Sequence, residues 1–144
     1  MKTVREVLEG KGRRVWSVAP DTTVFDALLL MAEKDVGAVL VLDAARRLVG
    51  VLSERDYARQ VILKGKTSKE TPVGEIMTAR VVYVRPEQSV DECMALMTDK
   101  RIRHLPVLEG DELIGLLSIG DVVKTVIQEK QFQIEQLENY ITRS

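Results

Sequence analysis

Gly50-Val-Leu-Ser53-Glu-Arg-Asp56 and Gly115-Leu-Leu-Ser118-Ile-Gly-Asp121 are one phrase written twice, and they decide how the rest of this 144-residue chain is read. Working outward, Val18-Ala-Pro20 falls on Val84-Arg-Pro86, Val24 on Val90, Leu30-Met31 on Leu96-Met97, Lys34 on Lys100 and Val41-Leu42 on Val107-Leu108, all at an offset of 66. At the phrase itself the offset becomes 65, so the second copy is one residue shorter in the polar stretch between two apolar segments. A length change confined to a turn is what a structural repeat tolerates.

Each copy predicts the same elements. A short strand at Val15–Val18 or Val81–Val84 runs into a proline, and a helix then opens on the capping patterns Thr23-Val-Phe-Asp26 or Ser89-Val-Asp-Glu92 and continues to about Lys34 or Lys100. Two apolar strands follow as an antiparallel hairpin, Ala38–Leu42 with Leu48–Leu52 and Leu105–Leu108 with Leu113–Leu117. Another helix begins at each Ser-x-x-Asp. The predicted class is α+β, built from tandem βαββα repeats. A unit of about 60 residues buries too little surface to stand alone, so the copies are expected to pack about a pseudo-twofold axis with a cleft between equivalent elements. The expected organisation is an N-terminal helical segment at 1–14, a first repeat at 15–64, a polar linker at 65–78, a second repeat at 79–128 and a C-terminal helical extension at 129–144. Thr3-Val-Arg-Glu6 is a capping box leading into Val4, Val7 and Leu8. In the C-terminal extension Val123, Ile127, Lys130, Ile134, Leu137 and Ile141 recur at spacings of 4 and 3, a helical seam that either packs on its own domain or associates with another copy.

Composition narrows the function. Lys and Arg number 21 against 22 Asp and Glu, for a net charge of −1, and aromatic residues make up 4%, so neither a nucleic-acid surface nor an anionic-membrane surface is expected. The charged N-terminal segment does not read as a secretory signal, and no apolar run is long enough to span a bilayer. With one cysteine and no disulfide, a reducing compartment, the cytoplasm, is expected. Catalytic groups are scarce. His104 is the sole histidine, and Cys93 lies on the apolar stripe Val90-Cys93-Met94-Met97, where a small buried hydrophobe is expected rather than a metal ligand. Gly-rich phosphate loops are missing. The reading is therefore a protein without enzymatic activity or a bound metal.

The repeated Ser-x-x-Asp junction is what remains. Serine at the N-cap with an acid three residues on is a capping box that requires no ligand. A helix N-terminus also favours an anion, and a carboxylate beside it can accept both hydroxyls of a ribose diol, so ribose and phosphate ligands suit the same geometry. A basic cluster, Lys100-Arg101-Ile-Arg103-His104, precedes Leu105-Pro106-Val107, whereas the first copy has Asp35, Gly37 and Ala38 at the positions of Arg101, Arg103 and His104. The two halves are chemically unequal.

These residues, with Glu75-Ile-Met-Thr78 before the second copy and Arg103-His-Leu-Pro-Val107 within it, resemble a CBS-domain pair, or Bateman module, over roughly Val15 to Ile127. Ser53-Glu-Arg-Asp56-Tyr-Ala-Arg59 followed by Lys64-Gly-Lys-Thr-Ser68 is similar to stand-alone bacterial members. The resemblance implies a non-catalytic regulatory module that binds an adenine nucleotide (AMP, ADP, ATP or NAD(H)) between its repeats and signals occupancy by a conformational or oligomeric change. S-adenosylmethionine fits less well, since it brings no phosphate to Arg103 and His104. Carried over by residue, a first site would use Ser53 and Asp56 with Arg103, His104 and Lys124. A second would use Ser118 and Asp121, with Thr78 and Val107 near the base and Arg55, Arg59 or helix N–H groups left to meet phosphate. A homodimer and a regulated protein partner are also implied. The alternative is an interaction scaffold that uses the C-terminal helix, its Ser-x-x-Asp boxes acting only as caps.

Overall fold

A computed structural model describes residues 2–143. Its elements run α1 (Val4–Lys11), β1 (Ser17–Val18), α2 (Val24–Lys34), β2 (Ala38–Leu42), β3 (Leu48–Ser53), α3 (Glu54–Tyr57, continued by a π-helical turn over Ala58–Ile62), α4 (Val73–Ile76), α5 (Val90–Lys100), β4 (His104–Glu109), β5 (Glu112–Ser118) and α6 (Ile119–Arg143). The first copy shows the full β-α-β-β-α order. Its opening strand ends at Val18 as predicted but begins only at Ser17, where the parallel ladder with Leu40 and Val41 starts. In the second copy the strand predicted at Val81–Val84 is reduced to a single parallel bridge between Val84 and Val107.

The hairpins form where the paired apolar segments placed them. β2 is central in the β1-β2-β3 sheet and all five of its residues are buried, as a continuous apolar run covered on both faces should be. It pairs antiparallel with β3, Ala38 opposite Ser53 and Val41 opposite Gly50, so the register brings the phrase to the end of the central strand. β4 and β5 make a second sheet of two strands. Thr23 and Ser89 cap α2 and α5, and both helices end on a left-handed residue at equivalent positions, Asp35 (φ 54°) and Arg101 (φ 55°).

Two compact units are formed, and each draws on more than one stretch of chain. One comprises Met1–Arg13, Tyr83–Gly110 and Ile114–Ser144; the other comprises Arg14–Val82 and Asp111–Leu113. The N-terminal helix therefore belongs with the second repeat. Val4 N–H donates to Gln88 C=O (2.8 Å), Arg5 N–H to Pro86 C=O (2.9 Å) and Val90 N–H to Lys2 C=O (2.9 Å), while Val4 and Leu8 are fully buried. In the unit of the first repeat, the stretch read as a polar linker folds its own short helix. Val73 and Ile76 of α4 join Val24, Met31, Val39, Val41 and Leu52 in the core, and Val73 N–H donates to Thr22 C=O (2.8 Å).

These two helices explain the glycine in each phrase. A Cβ on Gly115 would stand 2.7 Å from Leu8 Cδ2, and one on Gly50 would stand 2.4 Å from Met77 Sδ. Each glycine is a flat seat for a side chain from the helical segment that docks on it. Toward the other end, α6 buries Val122 and Thr125, but Ile127, Ile134 and Leu137 are 51%, 54% and 63% exposed. The buried residues flank the seam, whose first member, Val123, is itself 38% exposed.

Candidate functional site

Both phrases close as the same knot of hydrogen bonds at a strand-to-helix junction. Ser53 Oγ accepts from Asp56 N–H (3.2 Å), while Asp56 Oδ2 accepts from Ser53 N–H (2.9 Å) and Ser53 Oγ (3.0 Å). The Ser118–Asp121 pair repeats it at 3.2, 2.8 and 2.9 Å. The helix that follows is pinned from the adjoining strand as well, by Glu54 N–H to Gly37 C=O (3.1 Å) and Ile119 N–H to Arg103 C=O (2.8 Å). The capping box is thus complete in both copies. It also fixes each carboxylate at the mouth of a helix.

What else reaches each carboxylate differs. In the unit of the first repeat, Thr78 pairs with Val51 through two backbone hydrogen bonds (3.0 and 2.9 Å) and its hydroxyl donates to Asp56 Oδ1 at 3.3 Å. The sequence reading grouped Thr78 with the second motif, whereas the structure joins it to the first. In the other unit the ammonium of Lys11, the last residue of α1, donates to Asp121 Oδ2 (2.5 Å) and to Leu116 C=O (2.6 Å). Lys11 was not among the expected site residues. The only sequence signal for it is a lysine next to Gly12, the C-cap residue of α1. Burial pulls the Asp121 carboxyl upward, but Lys11 and the hydrogen bonds from Ser118 outweigh this and hold it below the ordinary aspartate value.

The remaining expected residues divide between the units. Ser53, Arg55 and Asp56 lie in the unit of the first repeat, with Arg55 exposed on the first turn of α3. Arg103, His104, Val107, Ser118, Asp121 and Lys124 lie in the other. The Arg103 carbonyl holds the first N–H of α6, so the basic pair adjoins the second motif through its backbone. Val107 is fully buried in β4, and Lys124 is exposed three residues beyond Asp121 on α6. A hollow of about 470 Å³ lies beside the first motif, lined by α2 residues with Gly37, Glu54 and Tyr57, but neither Ser53 nor Asp56 lines it. Cys93 is fully buried, and desolvation, with a smaller push from Glu92, raises its thiol pKa to about 11, as suits a core position. Among the described residues, no three or more His, Cys, Asp or Glu side chains group to hold a metal, and no helix is long and apolar enough to cross a membrane.

Paired βαββα repeats, each carrying a Gly-h-h-Ser-x-x-Asp junction with an oriented carboxylate, define a class of duplicated modules. The chain belongs to the CBS-domain family, which it matches over residues 4–62 and 73–128. Both matched segments open on the first residue of a helix, α1 or α4. The chain is 54% identical to a signal-transduction protein with CBS domains from Burkholderia ambifaria, whose structure superposes with a TM-score of 0.84 over 88% of this chain and 95% of that one. It is 40% identical over 148 residues to the mitochondrial CBS domain-containing protein CBSX3 of Arabidopsis thaliana, spanning 96% of this chain and 71% of that protein. A hexameric CBS-CP12 protein from bloom-forming cyanobacteria is 30% identical, with a TM-score of 0.76 over 85% of this chain and 70% of that one. CBS-domain pairs are generally non-catalytic regulatory or signal-transduction modules, and their proteins often oligomerise.

Proposed function

We propose that this chain is a sensor of adenine nucleotides, AMP, ADP, ATP or NAD(H), that binds them at its two Ser-x-x-Asp motifs and signals occupancy by a conformational or oligomeric change. The observation that carries the reading is the doubled box, in which Asp56 and Asp121 are each held at a helix mouth by hydrogen bonds from their own serine. Each carboxylate accepts a ribose diol, while the helix mouth and the cations Arg55, Arg103, His104 and Lys124 supply phosphate contacts. Thr78 and Val107 stand toward the base. Action in the cytoplasm, with a regulated protein partner, belongs to the same proposal.

Thermal unfolding of the purified protein with each nucleotide tests it, because a ligand that binds only the native state adds RT ln(1 + [L]/Kd), about 2.7 kcal/mol at a hundredfold excess over Kd. For a chain of this size that is a rise of roughly 5–11 °C. Nucleotide-dependent stabilisation that is reduced in Asp56→Asn or Asp121→Asn supports the sensor. An unchanged melting temperature at millimolar AMP, ADP, ATP, NAD and NADH refutes it.

The exposed seam of α6 favours a second reading, an interaction scaffold in which Ile127, Ile134 and Leu137 dock on another protein or a second copy. A homodimer made through this seam would be seen by light scattering and would dissociate in Ile134→Lys. A monomer at all concentrations would remove the homodimer from this reading.

A further inference from the structure

We propose that α6 pairs with the α6 of a second copy in the antiparallel direction, in a register that sets Lys124 of each copy beside the partner's Glu138. This rests on the reading of α6 as an interaction seam and adds to it the partner, the direction and the register.

The seam selects a helix as its occupant. Val123, Ile127, Lys130, Ile134, Leu137 and Ile141 recur at 4, 3, 4, 3 and 4 residues, the period of a coiled coil, so the three isoleucines take a positions and Val123, Lys130 and Leu137 take d positions. All six lie on one helix of 25 residues, and the five apolar members are exposed. They span about 27 Å at 1.5 Å per residue. One flank of the stripe, the e positions, is wholly polar: Lys124, Gln131 and Glu138. An a/d stripe this narrow fits along another helix, whereas a helix that docks on a globular core carries a wider one.

Charge chooses the direction. A parallel pair in register stacks Lys130 on the partner's Lys130 in one d layer, and its flanking g-to-e pairs, Val126 with Gln131 and Gln133 with Glu138, hold no opposite charges. Antiparallel pairing brings a positions against d positions instead. The register that uses all six sets Ile127 against the partner's Leu137, Ile134 against the partner's Lys130 and Ile141 against the partner's Val123. Each lysine then lays its carbon chain on an isoleucine and keeps its ammonium in water. In this register e faces e, so Lys124 meets the partner's Glu138 at both ends of the pair. Both side chains are exposed, and among the described residues neither is in an ion pair. Glu138 has no cation at the helix positions that face it, which hold Ile134, Glu135, Ile141 and Thr142. A slide of one heptad loses two of the six layers and both ion pairs.

Light scattering over a concentration series, with the purified chain and no nucleotide, tests this through a charge cycle. The unsubstituted protein should be a dimer that Ile134→Lys dissociates. Glu138→Lys and Lys124→Glu should each weaken the dimer about three- to thirtyfold, since each turns two attractive pairs into repulsive ones, and the Lys124→Glu/Glu138→Lys protein should recover to within about threefold. Within one helix the two residues stand about 21 Å apart, too far to couple, so recovery reports contact between copies. Oxidation of mixed Ile127→Cys and Leu137→Cys proteins should join the two substituted positions across the pair, whereas Lys130→Cys alone, which a parallel pair would bring together, should not cross-link. Cys93 is buried and stays out of the exchange. Strictly additive losses at 124 and 138, or a Lys130→Cys protein that cross-links to itself, overturns the antiparallel pairing while leaving the seam reading standing. A chain that is monomeric at every concentration, or a dimer that Ile134→Lys leaves intact, overturns the proposal together with the homodimer it rests on.

Discussion

Replacing Gly115 with alanine tests the packing that brings α1, and with it Lys11, to the second motif. The new methyl would sit 2.7 Å from Leu8 Cδ2 and 2.9 Å from Leu8 Cδ1, against a comfortable separation of roughly 3.5–4.0 Å. Leu8 is fully buried and branched, so it cannot swing aside; the helix must shift by most of an ångström or leave its seat. Overpacking of this kind costs about 1–3 kcal/mol, offset by roughly 0.5–1 kcal/mol from removing a strand glycine, for a net loss of up to about 2.5 kcal/mol and a melting temperature lower by up to roughly 10 °C. Gly50→Ala is the internal comparison. Its methyl meets Met77 Sδ at 2.4 Å, a nominally worse clash, but an unbranched, partly exposed methionine re-routes easily, so the loss should be under about 1 kcal/mol. Leu8→Ala alone should cost about 2–5 kcal/mol by leaving a cavity. In the double variant the alanine methyl at 115 fills part of that cavity, so the two losses should sum to more than the pair costs. Urea unfolding of the four proteins gives the cycle. A stabilising Gly115→Ala, or strict additivity with Leu8→Ala, would refute the reasoning.

Other outcomes follow from single residues. The Asp121 carboxyl is held below its ordinary value, so the stabilisation it contributes is present above the unfolded value and is lost as pH falls through the lower, folded one. The stability difference between the unsubstituted protein and Lys11→Met, expected at about 0.2–1 kcal/mol near neutrality, should therefore shrink below about pH 4 in acid titrations followed by circular dichroism. Asp35 holds a left-handed conformation (φ 54°) at the end of α2, so Asp35→Gly should raise stability by about 0.5–1 kcal/mol in urea melts; a loss would show that its side chain matters more than its backbone. Cys93 should resist thiol reagents in the native protein and react only on unfolding, which mass spectrometry after timed labelling would show.

The sequence was most legible where it repeated itself. Two copies of Gly-h-h-Ser-x-x-Asp fixed the strand-to-helix junctions, and a continuous apolar run located β2 to the residue, because a central strand covered on both faces is apolar at every position. The opening strands were over-extended, because the valines and aromatic residues at Val15–Val18 and Val81–Val84 satisfy β-propensity whether or not a partner exists. The stretch at 65–78 read as a linker because its glycines and Pro72 are turn residues; nothing local shows that Val73 and Ile76 have a core to enter. The same limit applies at the sites. Reciprocal hydrogen bonds within each box follow from three-residue spacing and were legible. Thr78 on Asp56 and Lys11 on Asp121 are contacts over 22 and 110 residues of chain, and no local spacing reports them.

The central claim is that each capped aspartate is also a ribose acceptor, and counting bound nucleotide tests it most directly. Isothermal titration of the purified chain with AMP should give two equivalents per chain, falling to one in either Asp56→Asn or Asp121→Asn, with each variant still folded by circular dichroism. Unchanged stoichiometry in both variants, or no binding to a protein that is demonstrably folded, would contradict it and leave the boxes as helix caps alone.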